Sequence, residues 1–509
     1  MISTINSISL HGVEGFIVKI EADVQNGIPV FNMVGLPDIT IKESKDRVRV
    51  AIKNSGLEFP LSRIIVNFAP AHLKKEGPHF DLPIAIGILH NIGSIKSFDT
   101  SSIAFIGELS LSGDITYTKG CLPMVLEARS KGIKEIFIPF DNINEVSSID
   151  NIVIYPVKTL KEVVLFLNKE ISINPLKISR NISRNLNFHL DFSEVKGQSF
   201  AKRAVEICAS GNHNILMLGP PGGGKTMLSK RIPTILPSLT VEEAIEVTKI
   251  HSISGKCSNK SEFITIPPFR EPHHTASFSA IIGGGVNPLP GEISLAHNGV
   301  LYLDELPEYK RESLEALREP MESGNIIISR AKGIYTYPSR FLLVASMNPC
   351  KCGYYGYDTI NKQCRCNDYE IKNYLSKVSG PILDRIDIHI SIEPISYKEI
   401  NSTKNEESSI SIRNRVEKVH EIQRIRFINE NIKFNSEMQT SHIKKYCQIS
   451  KETNNFLEDI FNNLSLSTRS LNKILKLSRT IADMDLSDSI DLNHVAEAVQ
   501  YRILDRKSI

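Results

Sequence analysis

The chain lacks any apolar run approaching the ~20 residues that a membrane-crossing helix needs, although 41% of its 509 residues are hydrophobic. A helical membrane protein is thereby excluded. Residues Met1 to Asn6 carry no basic start and no long apolar stretch, so no secretory leader is predicted and the expected location is the cytoplasm. Net charge is scant: 60 Lys and Arg against 57 Asp and Glu leave +3 with histidine neutral. That excludes a wholly basic nucleic-acid coat but leaves room for a local basic patch. Internal repeats and extended low-complexity tracts are absent, which removes solenoid architectures. Cysteine is sparse, at eight residues. Cys121, Cys208, Cys257 and Cys447 stand alone, whereas Cys350, Cys352, Cys364 and Cys366 cluster. In a reducing compartment, clustering favours metal over disulfides.

What is present is long enough for two to four domains. Residues 1 to about 170 alternate β-rich runs (Ile17–Ala22, Arg63–Phe68, Lys134–Pro139) with a helical stretch, Lys42 to Asn54, that carries Val48, Ala51 and Ile52 on one face. This predicts an α/β domain. Residues 171 to 192 are polar and aperiodic and read as a linker. Residues 193 to 395 hold the nucleotide motifs. The stretch from Tyr397 to Ile412 is rich in Asn, Glu and Ser and is expected to be exposed. From residue 412 the spacing of Leu471, Ile474, Leu475, Leu477 and Ile481 predicts a helical lid.

The chemistry starts at Gly219-Pro220-Pro221-Gly222-Gly223-Gly224-Lys225-Thr226, directly after the apolar run Ile215 to Leu218. This fits the G-x-x-x-x-G-K-[ST] phosphate loop, whose glycines let backbone N–H groups cradle phosphate oxygens. Lys225 is expected to reach the β- and γ-phosphates of ATP, and the Thr226 hydroxyl to ligate Mg²⁺. A second apolar strand, Val300 to Leu303, ends in Asp304 and Glu305. Asp304 would hold Mg²⁺ through water, and Glu305 would orient and deprotonate the attacking water. A third strand, Phe341 to Met347, ends in Asn348, whose amide can fix that water against the γ-phosphate. Arg385 and Arg469 supply the positive charge that a phosphoryl transition state needs, worth ~10³–10⁵ in rate for an arginine finger.

Residues Ile326 to Tyr335 read as a β-hairpin with Arg330, Lys332 and Gly333 near its turn, where the two cations would grip DNA phosphates. The C-x-C…C-x-C cluster offers four thiolates for a tetrahedral, structural Zn²⁺ site. His273 and His274 are expected to pack or to make a contact within an assembly.

Longer motifs carry a family resemblance. These are Val195-Lys-Gly-Gln198, Arg270-Glu-Pro-His-His274, Pro290-Gly-Glu-Ile-Ser-Leu-Ala-His297, Leu317-Arg-Glu-Pro-Met-Glu322 and Ser379 to Asp387, with Val34 to Asp38, Arg47 to Arg49, Val66 to Pro70 and Phe80 to Ala85 nearer the N-terminus. With them the block from 193 to 395 resembles the magnesium-chelatase-like AAA+ ATPases, and the whole chain resembles the ComM/YifB group. The resemblance implies a multidomain α/β fold: a Lon-protease-C-terminal-like α+β domain (1–170), the linker (171–192), an AAA+ P-loop domain (193–395) and a helical lid (396–509). It implies hexameric rings with ATP between subunits, Arg385 acting in trans and Arg469 in cis, a hairpin like the pore hairpin of the MCM helicases, and DNA branch migration during natural transformation. Two other motor classes stay open: a magnesium-chelatase motor subunit, against which the Lon-like domain speaks, and a protein remodeller.

Lon-type proteolysis needs a Ser nucleophile and an activating Lys, but His79 and Pro123 stand at those places. The purified protein with ATP is therefore expected to leave casein intact; ATP-dependent release of acid-soluble peptide would contradict this.

Overall fold

In a computed structural model, the described residues are 2–177, 188–256, 263–285, 288–330, 333–357, 363–395, 399, 406–464 and 466–502. Among them no helix is long and apolar enough to cross a membrane. Two sheets organise the chain. The first comprises β1 (Ser3–His11), β2 (Glu14–Gln25), β3 (Val30–Val34), β4 (Arg63–Ala69) and β5 (Ile103–Phe105), then, past the small hairpin β6 (Glu108–Leu109) and β7 (Ile115–Thr116), β8 (Glu135–Pro139) and β9 (Val153–Val157). Its order is β3-β4-β2-β1-β5-β8-β9. Pairing is antiparallel around β2 and parallel from β1 through β5 and β8 to β9.

The expected elements of this region are present, with shifted ends. The helix anticipated from Lys42 begins at Ile39, because the Asp38 carboxylate accepts the Ile41 N–H at 2.8 Å and caps the first turn. Arg47 on that helix bonds the buried Asp81 through Nε at 2.8 Å, which joins two of the family motifs in one ion pair. Burial pushes the Asp81 carboxyl up, and the Arg47 hydrogen bond opposes that shift. His79 is buried with Nε2 at 2.9 Å from the Ile8 carbonyl, and Pro123 lies buried in the helix Cys121–Ser130. Neither is free for catalysis.

The second sheet comprises β10 (Ile215–Leu218), β11 (Phe269–Arg270), β14 (Gly299–Leu303), β17 (Phe341–Met347) and β18 (Ile388–Ser391). All its pairs are parallel and its order is β11-β14-β17-β10-β18. The hairpins β12 (Gly283–Gly284) with β13 (Leu289–Pro290), and β15 (Asn325–Arg330) with β16 (Gly333–Pro338), lie beside it. Side chains alternate between two buried layers, as a sheet covered on both faces requires. Ile215, Met217, Val300, Val344 and Ile388 share a core with Ile474, Leu477, Ile481 and Val495 of the C-terminal helices. Leu216, Leu301, Leu303, Leu343 and Ala345 face the opposite core with Ile293, Ile326 and Tyr337. The helices after residue 408 are thus packed onto the nucleotide-motif sheet itself.

Two expectations change. Ser409 and Ile412 are buried, although the stretch to Ile412 is expected to be exposed. The helix Ser409–Arg426 already starts there; Ile412, Val416 and Val419 form its buried stripe, and Ser409 Oγ accepts the Phe192 N–H at 2.8 Å. The linker is also anchored where it is described: the Leu176 N–H donates to the Ile154 carbonyl at 2.8 Å, and the Arg413 guanidinium lies over the Phe188 ring. Residues 178–187 lie outside the described residues, as does Cys257.

The C-terminal helices hold a buried charge network. Asp483, 1% exposed, accepts from Arg426 Nη1 at 2.6 Å, Arg479 Nε at 3.1 Å and Asn435 Nδ2 at 2.8 Å. Removing one partner leaves the others as buried, uncompensated charges, so Asp483→Ala is expected to cost roughly 3–5 kcal/mol. Urea unfolding measures it; a loss below about 1 kcal/mol, the level of an exposed pair, would contradict the assignment.

Candidate nucleotide-binding site

The phosphate loop leaves β10 at the carboxyl edge of the parallel sheet, the edge at which open α/β sheets bind ligands. Gly219 allows a close approach: a Cβ there would lie 2.5 Å from the Ile392 carbonyl oxygen. Gly222 and Gly224 adopt φ of 79° and 89°, left-handed values that a side chain would resist, and the helix Lys225–Ser229 follows.

Lys225 is 8% exposed. Its ammonium has three N–H donors and three acceptors are present: the Gly219 carbonyl at 2.6 Å, the Pro220 carbonyl at 2.9 Å and Asn348 Oδ1 at 3.1 Å. Burial lowers its pKa, and attraction to Asp304 and Glu305 works against that. Asn348, at the end of β17, is therefore brought to the loop.

Beside it, Thr226 Oγ1 donates to Asp304 Oδ2 at 3.1 Å. The other Asp304 oxygen accepts from the Ser346 hydroxyl and, at 3.0 Å, from the Glu305 N–H. Tyr302, buried in β14, bonds both hydroxyls, at 3.4 Å to Thr226 and 3.2 Å to Ser346. Desolvation drives its phenol up to about 12, so it stays a neutral donor. A hydroxyl and a carboxylate converging at 3.1 Å fit a site for a hard cation such as Mg²⁺, with the hydroxyl as ligand and the carboxylate acting through water. Glu305 has φ of 53°, a left-handed conformation costly for a side-chain-bearing residue and concentrated at functional sites. Its carboxylate is exposed and lies 3.5 Å from His274 Nδ1.

Several neighbours make contacts that their motifs did not predict. His273 and His274 do not pack inside: they line a cleft of about 360 Å³ with Glu271, Pro272, Asp304 and Glu305. Their position depends on how the segment after β11 folds back over β14, which the pair His-His does not encode. Gln198, at φ 56°, donates from Nε2 to the Glu393 carbonyl at 2.6 Å and the Gly223 carbonyl at 3.4 Å, and so ties the Val195–Gln198 motif to the loop. Ser346 was legible in principle, as the one hydroxyl in the apolar strand Phe341–Met347.

The two arginines lie elsewhere. Arg385 precedes β18, and its carbonyl accepts from Asn214, the residue before β10, at 3.1 Å. It therefore sits at the amino edge of the sheet, while the phosphate loop leaves the carboxyl edge. Ile215 pairs with Ile388 and Leu218 with Ser391, so the strands between span about 10 Å. Arg385 Nη1 donates to the Pro381 carbonyl at 2.6 Å, its Nη2 pairs with Glu322, and its buried Nε has no partner among the described residues. It lines a cleft of about 590 Å³ with Arg318, Glu319, Glu322, Ile326 and Arg330. Arg469 Nη1 pairs with Asp384 at 3.5 Å. Arg469, expected to serve its own chain's loop, lies in this chain with Arg385 at the far edge.

The hairpin β15–β16 forms as expected, with Arg330 paired to Gly333 and exposed; Lys332 lies outside the described residues. The strand leaving its turn is not free, because the His11 ring at the end of β1 lies 4.4 Å from that of Tyr335 and its Nε2 lies 3.1 Å from the Ile334 carbonyl. The four clustered cysteines come together: Cys350 Sγ lies 3.3 Å from Cys352 and 3.8 Å from Cys364, and all four sulfurs lie within 4.8 Å of one another.

Comparison with known proteins accords with this geometry. Residues 191–400 match the family model described as magnesium chelatase, subunit ChlI; residues 20–142 match subunit ChlI of Mg-chelatase; residues 406–502 match the ChlI C-terminal model. The chain is 43% identical to the competence protein ComM of Haemophilus influenzae over 502 residues, 97% of this chain and 96% of that one. It is 41% identical to the protein YifB of Escherichia coli over 507 residues, 99% and 98% of the two chains. A stretch of 135 residues is 32% identical to Lon protease 2 of Bacillus subtilis, 26% of this chain and 23% of that protease. The matches define a class first, the magnesium-chelatase-type AAA+ ATPases. Within it, the chain belongs to the ComM/YifB family.

A nucleotide held by this loop stabilises the fold by linkage, by about 2.7 kcal/mol at a hundredfold excess over Kd. Mg-ATP is expected to raise the unfolding temperature of the protein, and Lys225→Ala to remove that rise while leaving the ligand-free transition in place. An undiminished rise in the variant would put the nucleotide elsewhere.

Proposed function

We propose that the chain is an ATP-driven hexameric DNA translocase or branch-migration helicase that acts on branched or single-stranded DNA in recombination during natural transformation. The observation that carries the ATPase part is the convergence of Lys225, Thr226, Asp304 and Asn348 at one sheet edge with Arg385 absent from it. In this reading residues 219–226 bind the phosphates, and Thr226 and Asp304 hold Mg²⁺. Held there, Mg²⁺ would supply positive charge to the β- and γ-phosphate oxygens. Glu305 takes the proton of the attacking water, and Asn348 orients that water. The γ-phosphoryl group passes to it in line, with ADP leaving. Arg385 and Arg469 of a neighbouring subunit complete the site, so a single chain binds ATP and hydrolyses it poorly.

The DNA part rests on the likeness to a competence protein over the full chain and on the exposed Arg330 at the end of a hairpin that borders the Arg385 cleft. Lys332 joins Arg330 in gripping phosphates. The domain layout that serves this function is 1–170, linker 171–192, 193–395 and 396–509, in the cytoplasm, with the four cysteines as a structural zinc site. The chelatase-type motor is the second reading, favoured by the family-model matches over three regions of the chain.

Forked or Holliday-junction DNA separates the readings. It is expected to raise the steady-state ATPase rate and to be unwound, with Lys225→Ala inactive in both assays. A rate indifferent to DNA of every form would overturn the DNA reading and leave the ATPase in place.

A further inference from the structure

The ATP chemistry uses none of the four cysteines, yet they lie against it. Cys350 follows Asn348 by two residues, and the turn from Cys350 to Gly353 closes with a Gly353 N–H bond to the Cys350 carbonyl at 3.0 Å. Gly353, at φ 90°, rests on the phosphate loop: a Cβ there would lie 2.7 Å from Pro221 Cδ and 3.9 Å from Asn348 Cγ. The excursion is tied down a second time, by the Tyr357 hydroxyl on Ser391. Ser391 adjoins Ile392, whose carbonyl sits where a Gly219 Cβ would be. Both ties flank the loop that holds Lys225.

The sulfurs are spaced for one ion. Zn–S bonds of ~2.3 Å in a tetrahedron put the sulfurs about 3.8 Å apart. The measured separations are 3.3 Å for Cys350–Cys352, 3.8 Å for Cys350–Cys364 and 3.6 Å for Cys352–Cys364. A soft tetrathiolate set selects Zn²⁺ over Mg²⁺ or Ca²⁺. Four thiolates around Zn²⁺ carry a net charge of −2, and Lys351 and Arg365, one inside each C-x-C pair, offset it.

We propose that this tetrathiolate zinc is a brace on the ATP site, so that metal occupancy sets nucleotide affinity through Gly353 on Pro221 and through Asn348 on Lys225. The inference rests on the reading of residues 219–226 as the nucleotide site. With zinc bound, the turn is fixed and Asn348 and the loop are held in register. Without it the thiols take up protons and share no ion, the turn loses its centre, and the loop loses the wall it packs on.

The test uses the full chain purified without chelator. Elemental analysis is expected to find about one zinc per chain. Stripping the metal with a thiol-competing chelator is expected to weaken binding of a fluorescent ATP analogue by roughly ten- to a hundredfold, the usual range for loss of a supporting shell, and adding ZnCl₂ back to restore it. Gly353→Ala, read separately, is expected to keep its zinc and still bind nucleotide more weakly, because its Cβ displaces Pro221. Absence of zinc, or nucleotide affinity unchanged by stripping and by Gly353→Ala, would overturn the brace. If zinc-loaded protein bound the analogue no better than Lys225→Ala does, the nucleotide reading itself would fall, and the brace with it.

Discussion

A buried ammonium must place all three of its N–H donors, and Lys225 places them on two carbonyls of its own loop and on Asn348. Much of the molecule serves that arrangement. The loop can curl around the ammonium only because its glycines take left-handed turns and approach Ile392 closely. Asn348 reaches it only because β17 pairs directly beside β10 in a parallel sheet. The pairing of β14 with β17 brings Ser346 to Asp304, whose other oxygen accepts from Thr226. One charge, its acceptors and the sheet register thus tie together three sequence motifs that lie between residues 219 and 348.

The sheet also divides the chemistry. Its carboxyl edge carries Lys225, Thr226, Asp304 and Glu305, and its amino edge carries Arg385 and Arg469 with the Asp384 carboxylate between them. Cations at one edge and a phosphate loop at the other suit a chain that meets a second copy of itself edge to edge. The C-terminal helices reinforce the division, since they share one core with the sheet and carry Arg469 at the start of the helix Thr468–Met484. A motion of those helices therefore cannot leave the sheet undisturbed.

Much of this was legible in the sequence. The phosphate loop, the two carboxylates after β14 and the polar end of β17 are contiguous motifs, and the fold brings Lys225, Thr226, Asp304 and Asn348 together. Ser346 escaped notice, and Gln198 and His274 were named without their place beside the loop, because all three act through contacts made across the fold that no local spacing encodes. The buried start of the helix Ser409–Arg426 was missed because polar composition dominates the segment before it, whereas the stripe Ile412, Val416 and Val419 appears only once the helix register is known. Arg469 shows the limit most clearly: its motif is local, but which edge of the sheet it joins depends on how the helices pack.

The central claim is that the catalytic site is divided between two chains, and mixing two inactive variants tests it directly. Lys225→Ala and Arg385→Ala are each expected to hydrolyse ATP at a small fraction of the wild-type rate, with the Arg385 loss on the order of 10³-fold or more. Mixed and allowed to exchange subunits, they are expected to regain activity, because some interfaces pair an intact loop with an intact Arg385. A mixture no more active than its components, with exchange verified, would contradict the account.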